Sequence, residues 1–139
     1  MGPPLRTEHT ASLGWIKNLM TGVTTSIKTD DGVAAVDVRD VGFAHLAAVK
    51  VPEAANKRFI LVNFGAKWIE FAQPVIDKYV PLGWPVTTKI AEPDPTARIS
   101  QFDNTASREI LGVQYRDFNQ TMVEMADKCV ELGIATKPE

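Results

Sequence analysis

The sequence has one cysteine, Cys129, and only two histidines, His9 and His45, among 139 residues. A single thiol cannot close a disulfide within the chain, and no His/Cys cluster has zinc-like spacing, so neither kind of staple is expected. A reducing compartment fits this cysteine usage. Surplus charge is lacking too, with 15 Lys and Arg against 17 Asp and Glu and a formal net charge of −2. Binding to phosphate backbones draws on a cationic excess, so nucleic acid is not an expected partner. Like charges form no long block, which leaves out acidic or basic tails. Lys, Asp, Glu, Arg or Pro interrupts every apolar run, and none approaches the ~20 residues that span a bilayer. Met1–Arg6 lacks the charged and then apolar pattern of a secretory signal, so a cytoplasmic location is expected. Internal repeats and low-complexity stretches are absent, as is any glycine cluster.

What is present is a chain that is 45% hydrophobic and 23% charged, the composition of one globular domain over residues 1–139. A domain of this size buries roughly two thirds of the surface its unfolded chain exposes, so it needs no metal to fold. It is too short for a complete barrel or two-domain dehydrogenase. Residues 1–10 read as an irregular segment. Leu13, Ile16, Leu19 and Met20 then share one helical face from Ala11 to Thr21, with Thr10 or Ser12 as cap and Gly22 as stop. Val33–Asp37 reads as a strand that turns sharply into a helix. Asp37 and Asp40 are placed to cap it, and Val41, Ala44, His45, Ala48 and Val49 follow on one face. The small residues between 42 and 48 suit close packing on a sheet, and Pro52 ends the helix.

Residues 58–63, with the unbroken run Phe59–Val62, read as a strand buried on both faces. Trp68, Phe71, Val75, Ile76 and Tyr79 predict a helix over 66–80, kinked or restarted at Pro74. Four prolines make 81–98 a surface excursion with at most a short strand at 86–90. A further short strand is expected at 99–102. A brief helix that Asp103 and Asn104 can cap should then run through Ile110 and Leu111 and close at Gly112. Asp117 should cap a last helix carrying Phe118, Met122, Met125, Ala126 and Cys129 in one stripe.

Each reactive candidate has a plain structural explanation. His45 lies on the expected apolar side of its helix, and nothing places it near His9. Asp37 and Asp40 are explained by capping more simply than as an acid–base pair. Cys129, on a buried stripe with only Lys128 beside it, should behave as a small apolar residue. The Met and aromatic stripes have core spacing. No catalytic residue and no metal ligand is assigned.

The string Val36-Asp37-Val38-Arg39-Asp40-Val41-Gly42-Phe43-Ala44-His45 resembles the "VDVRDVAxAH" segment of the extended short-chain dehydrogenase/reductase superfamily. The resemblance is to its branch of dihydroflavonol, cinnamoyl-CoA and methylglyoxal or aldehyde reductases. Further pieces follow in the family's order. Gly2-Pro3-Pro4-Leu5 is similar to the loop after the sixth sheet strand. Pro52-Glu53-Ala54-Ala55 with Arg58-Phe59-Ile60-Leu61 resembles "xPEAxGxRYI", and Phe102-Asp103-Asn104 with Glu109-Ile110-Leu111-Gly112 resembles "xDNSKAxxELG". The resemblance covers nearly the whole chain and implies the α/β, C-terminal, substrate-binding part of a Rossmann-type reductase, with few strands and four or five helices. It also implies that Met1 falls inside the parent fold.

Family members bind NADP through a GxxGxxG turn and protonate the substrate carbonyl with a Tyr-x-x-x-Lys pair. Neither motif occurs here: Gly83 stands four residues after Tyr79, and Asn119 four after Tyr115. The resemblance therefore implies no cofactor site in this chain alone and no hydride transfer without a missing nucleotide-binding half. By analogy Gly2, Pro3, Pro4 and Leu5 would line the substrate side of the cleft, with Arg39 orienting a polar substrate or serving in a surface ion pair. Two function classes follow: the substrate-binding half of a reductase, or a non-catalytic structural or binding subunit derived from one. Either expects another chain to cover an apolar sheet face that includes Val36, Ile60 and Val62.

Overall fold

A computed structural model describes residues 1–8, 10–98 and 100–138. The first helix, α1 (Ala11–Met20), begins where expected, because Thr10 is extended and its hydroxyl accepts the Leu13 N–H. Its buried face is Leu13, Ile16, Leu19 and Met20. The chain turns away at Gly22, whose φ of +73° suits glycine, and an added Cβ would sit 2.8 Å from the Pro85 carbonyl oxygen. Strand β1 (Gly32–Ala35) follows, and then α2 (Val38–Lys50), which Pro52 stops in a short 3-10 turn.

The second strand departs from the sequence reading. The apolar run at 58–62 is irregular in hydrogen bonding, and β2 is Phe64–Lys67, antiparallel to β1 with Gly32 opposite Lys67 and Ala35 opposite Phe64. A strand needs a neighbour for its backbone groups, and among the described residues no ladder flanks 58–62. The side-chain amide of Asn104 instead donates to the Val62 carbonyl at 2.6 Å. Phe59 and Leu61 pack on a small cluster of Ala44, Ala54, Leu111 and Val113, while Ile60 is 48% exposed.

Helix α3 (Trp68–Tyr79) begins two residues later than expected, since Ala66 and Lys67 belong to β2, and it continues as one helix through Pro74. The stretch 81–98 is irregular apart from a single parallel bridge between Ile27 and Ile90. Of the strand expected at 99–102, residues 100–102 are irregular and Ile99 lies outside the described residues. Helix α4 (Thr105–Glu109) precedes Gly112, and α5 (Phe118–Glu131) is capped by Asp117, whose carboxylate accepts the Gln120 N–H at 2.8 Å.

The main core is the seam of α1, α3 and α5, where Ile16, Leu19, Met20, Phe71, Val75, Met122, Met125 and Cys129 are fully buried. Phe71 meets Phe118 edge-on, with ring centroids 4.6 Å apart. Each of these helices supplies an apolar stripe, and burying three stripes against one another is what the periodicity encodes. Helix α2 differs. It buries only Asp40 and Ala44, leaves Val49 88% exposed and places His45 at the surface, where Nδ1–H donates to the Val41 carbonyl at 2.8 Å. The expected close packing on a sheet is not found, because a two-stranded sheet is too narrow to cover the helix. Of the three residues expected on an open face, Ile60 is exposed, whereas Val36 and Val62 are half-buried.

Candidate functional site

The N-terminal segment crosses the end of β1 and meets the start of α2. Met1 fixes it there: its amino group donates to the Val36 carbonyl at 2.9 Å, and its carbonyl accepts the Val38 N–H at 2.8 Å. Burial lowers the Met1 amine below its ordinary 8.0, with the Asp37 charge opposing. Gly2 follows at φ +110°, and a Cβ there would crowd Asp37 Oδ1 and Val38 Cγ1, each at 3.1 Å. Glycine is therefore what lets the segment lie so close to α2.

A cleft of about 350 Å³ opens between this segment, α1 and α5. Gly2, Pro3, Pro4 and Leu5 line one side, with Leu13, Val38 and Met125 opposite and the hydroxyls of Thr10 and Ser12 nearby. Gly2 is buried, Pro3 and Pro4 are half-buried, and Leu5 is 93% exposed at the mouth. Arg6 and Glu8 at the rim pair across 3.6 Å. The lining is thus largely apolar, with two hydroxyls and this ion pair, a setting for a small molecule with an apolar body and a hydrogen-bonding end.

Asp37 does not line the cleft but lies against Gly2, where it anchors a polar network. Its buried carboxylate accepts the Arg39 N–H at 2.8 Å as the α2 cap, two bonds from the Arg39 guanidinium at 2.9 and 2.7 Å, and the Thr121 hydroxyl at 2.8 Å. Burial alone would raise its pKa, but these bonds and the Arg39 charge outweigh it and hold the carboxyl at about 2. Arg39 also reaches Glu124 Oε2 at 2.6 Å. It does not line the cleft: of the five residues proposed for substrate, the structure brings Gly2, Pro3, Pro4 and Leu5 together and sets Arg39 in an ion-paired network linking α2 to α5.

Asp40 corrects the sequence reading. It does not cap α2 but turns away from the helix axis and accepts the backbone N–H of Arg116 at 3.0 Å and the Arg116 guanidinium. Asp37 already takes the cap, leaving Asp40 free to hold the 113–117 segment. Periodicity missed Thr121 and Met125 as neighbours of the site. A threonine on an otherwise apolar helix stripe was the available signal, since a buried hydroxyl must find a partner.

The remaining chemistry is structural. Tyr79 donates to Asp127 at 2.7 Å, and burial followed by that carboxylate raises its pKa. Tyr115 shares a hydrogen bond with Ser107 at 2.8 Å and lies under the Arg108 guanidinium. Burial pushes the Cys129 thiol up to about 11, against reactivity. His9 lies outside the described residues. Among the described residues no group of three or more His, Cys, Asp or Glu could hold a metal, and no helix is long and apolar enough to cross a membrane.

The strand-to-helix turns also bear on a dinucleotide. At β1–α2 the Asp37 carboxylate occupies the helix N-terminus, and at β2–α3 Glu70 accepts the Lys67 N–H at 2.7 Å. A pyrophosphate needs free N–H groups and glycine at such a turn, so these residues do not fit it.

No protein-family model matches the chain. It is 34% identical over 98 residues to the ketoreductase azaE of Aspergillus niger, covering 69% of this chain and 28% of that protein. It is 30% identical over 136 residues to cinnamoyl-CoA reductase 1 of Arabidopsis thaliana, covering 96% of this chain and 38% of the reductase. The crystal structure of Gre2 from Candida albicans in complex with NADPH superposes with a TM-score of 0.62 at 25% identity, over 94% of this chain and 41% of that one. The chain thus spans less than half the length of the proteins it resembles. Their shared character as reductases, with the motifs at 36–45 and 52–61, makes this chain a member of the extended short-chain dehydrogenase/reductase superfamily corresponding to part of such a reductase.

Proposed function

We propose that the chain is the substrate-binding half of an NAD(P)-dependent reductase of small carbonyl compounds and does not transfer hydride by itself. The observation that carries this reading is the cleft over Gly2–Leu5, largely apolar but with the Thr10 and Ser12 hydroxyls and the Arg6–Glu8 pair, in a chain whose fold matches part of a reductase with NADPH bound. The cleft suits an aldehyde or ketone with an apolar body, which a hydroxyl can orient through its carbonyl oxygen. Hydride donor and proton donor must come from a nucleotide-binding half, because neither strand-to-helix turn here suits a pyrophosphate and both tyrosines are engaged elsewhere.

The test is a titration of the folded chain with an aliphatic ketone, chosen because aldehydes react with the Met1 amine, followed by NMR. Shifts should gather at Gly2, Leu5, Leu13, Val38 and Met125, and NADPH should produce none. Binding of NADPH by the chain alone, or ketone shifts confined to other regions, would overturn the proposal.

A further inference from the structure

The outer edge of β1 carries hydrogen-bonding groups that the cleft does not use. On the β2 side, the Asp31 carbonyl accepts the Trp68 N–H at 3.1 Å and the Ala35 carbonyl accepts the Asn63 N–H at 2.9 Å. Backbone groups of successive strand residues point to opposite edges, so the N–H and C=O of Ala34 and Val36 aim away from β2. Met1 meets this edge at its far end. It donates to Val36 and accepts from Val38, and a residue bonded to both flanking neighbours of one facing residue is the signature of a parallel pair. The edge therefore already holds one parallel bridge, while among the described residues the alternation leaves both groups of Ala34 and the N–H of Val36 open.

Beside those groups lies a groove of about 340 Å³, lined by Met1, Trp15, Val33, Ala34, Val36 and Trp68 among others. The two indoles are half-buried, with ring centroids 5.0 Å apart. An extended chain entering here would put every second side chain on the side of Val33 and Ala35, over Trp15.

We infer that this edge is a docking site for an apolar β-strand of a partner polypeptide, added parallel to β1 with its C-terminal end at Met1. The inference rests on the reading that a nucleotide-binding half completes the protein, and it assigns the edge and direction by which that half joins. A second copy of this chain is the poorer fit, because a two-fold axis normal to the sheet would pair the two β1 strands antiparallel, against the sense that Met1 sets. Strand addition of this kind draws affinity from main-chain bonds and selectivity from alternate side chains.

The probe is an N-acetylated Val-Thr-Val-Thr-Val peptide with a free carboxylate, added to the full chain while amide exchange is followed by NMR. Exchange of Ala34 and Val36 should slow by about tenfold or more, with Trp emission shifting, while Val33 and Ala35 stay unchanged. N-methylation of the valines, whose N–H groups would face β1, should abolish the effect; N-methylation of the threonines should not. No protection on a folded chain, protection at Gly65 on the outer edge of β2 instead, equal effects of the two methylated peptides, or protection that appears without peptide as the chain's own concentration rises would each overturn the inference. Neither carbonyl compound nor nucleotide takes part, so failure here is distinct from failure of the ketone titration.

Discussion

Replacing Asp37 with Asn isolates the charge that ties the N-terminal segment, α2 and α5 together. Asparagine can still accept the Arg39 N–H as a cap, so helix α2 should persist. What is lost is the carboxylate that faces the Arg39 guanidinium through two bonds and the Thr121 hydroxyl through a third. The carboxyl is held at about 2 rather than its ordinary 3.8, which corresponds to about 2 kcal/mol of stability. The sign follows from the direction. The folded state binds this proton less readily than the unfolded state, so the contribution is complete above pH 3.8 and drains away as pH falls through about 2. Urea unfolding followed by the fluorescence of Trp15, Trp68 and Trp84 should place Asp37→Asn about 2 kcal/mol below the parent at pH 7. With a slope of roughly 2 kcal/mol per molar, that is a midpoint shift of about 1 M. Near pH 2 the two proteins should converge to within the small cost of placing an amide against a guanidinium. Equal midpoints at pH 7, or a difference that survives unchanged at pH 2, would refute the assignment of Asp37 as the anchor of this network.

One further substitution and one reaction separate structural roles. Asp40→Ala strands the Arg116 N–H and should cost about 1–3 kcal/mol, with faster proteolysis around 112–117 and unchanged α2 helicity by circular dichroism; loss of helicity without loop cleavage would restore Asp40 to a capping role. Cys129, buried and with its thiol pushed up to about 11, should alkylate at pH 8 far more slowly in the native chain than after unfolding. Comparable rates would mean that the α5 stripe is open.

The parts of the fold that were legible are those whose partners lie within the chain. The stripes of α1, α3 and α5 face one another, so apolar spacing alone located Ile16, Phe71 and Met122 in the core. The caps at Thr10, Asp37 and Asp117 were readable because a cap bonds to its own helix. Asp40 was misread because its partner, Arg116, is distant in sequence, and nothing local distinguishes a carboxylate that caps from one that reaches across the fold.

Residues 58–62 failed differently. Phe59-Ile60-Leu61-Val62 has the composition of a strand covered on both faces, yet among the described residues Phe59 and Leu61 pack on the small cluster while the backbone finds no ladder. The outward face of α2 tells the same story, with Phe43, Leu46 and Val49 exposed on a helix whose small residues anticipate a sheet. Both patterns suit a larger sheet than the two strands found among the described residues, and the chain spans 41% of the Gre2 chain it superposes on. The same logic makes the cleft partly legible. Gly2–Leu5 was placed by resemblance, and the φ of +110° at Gly2 shows the physical need behind it, but Leu13 and Met125 became visible only when helices distant in sequence were brought beside the segment. Sequence patterns thus report the kind of surroundings a segment suits, and where a strand-like run such as 59–62 lacks a neighbouring ladder among the described residues, the pattern and the fold part company.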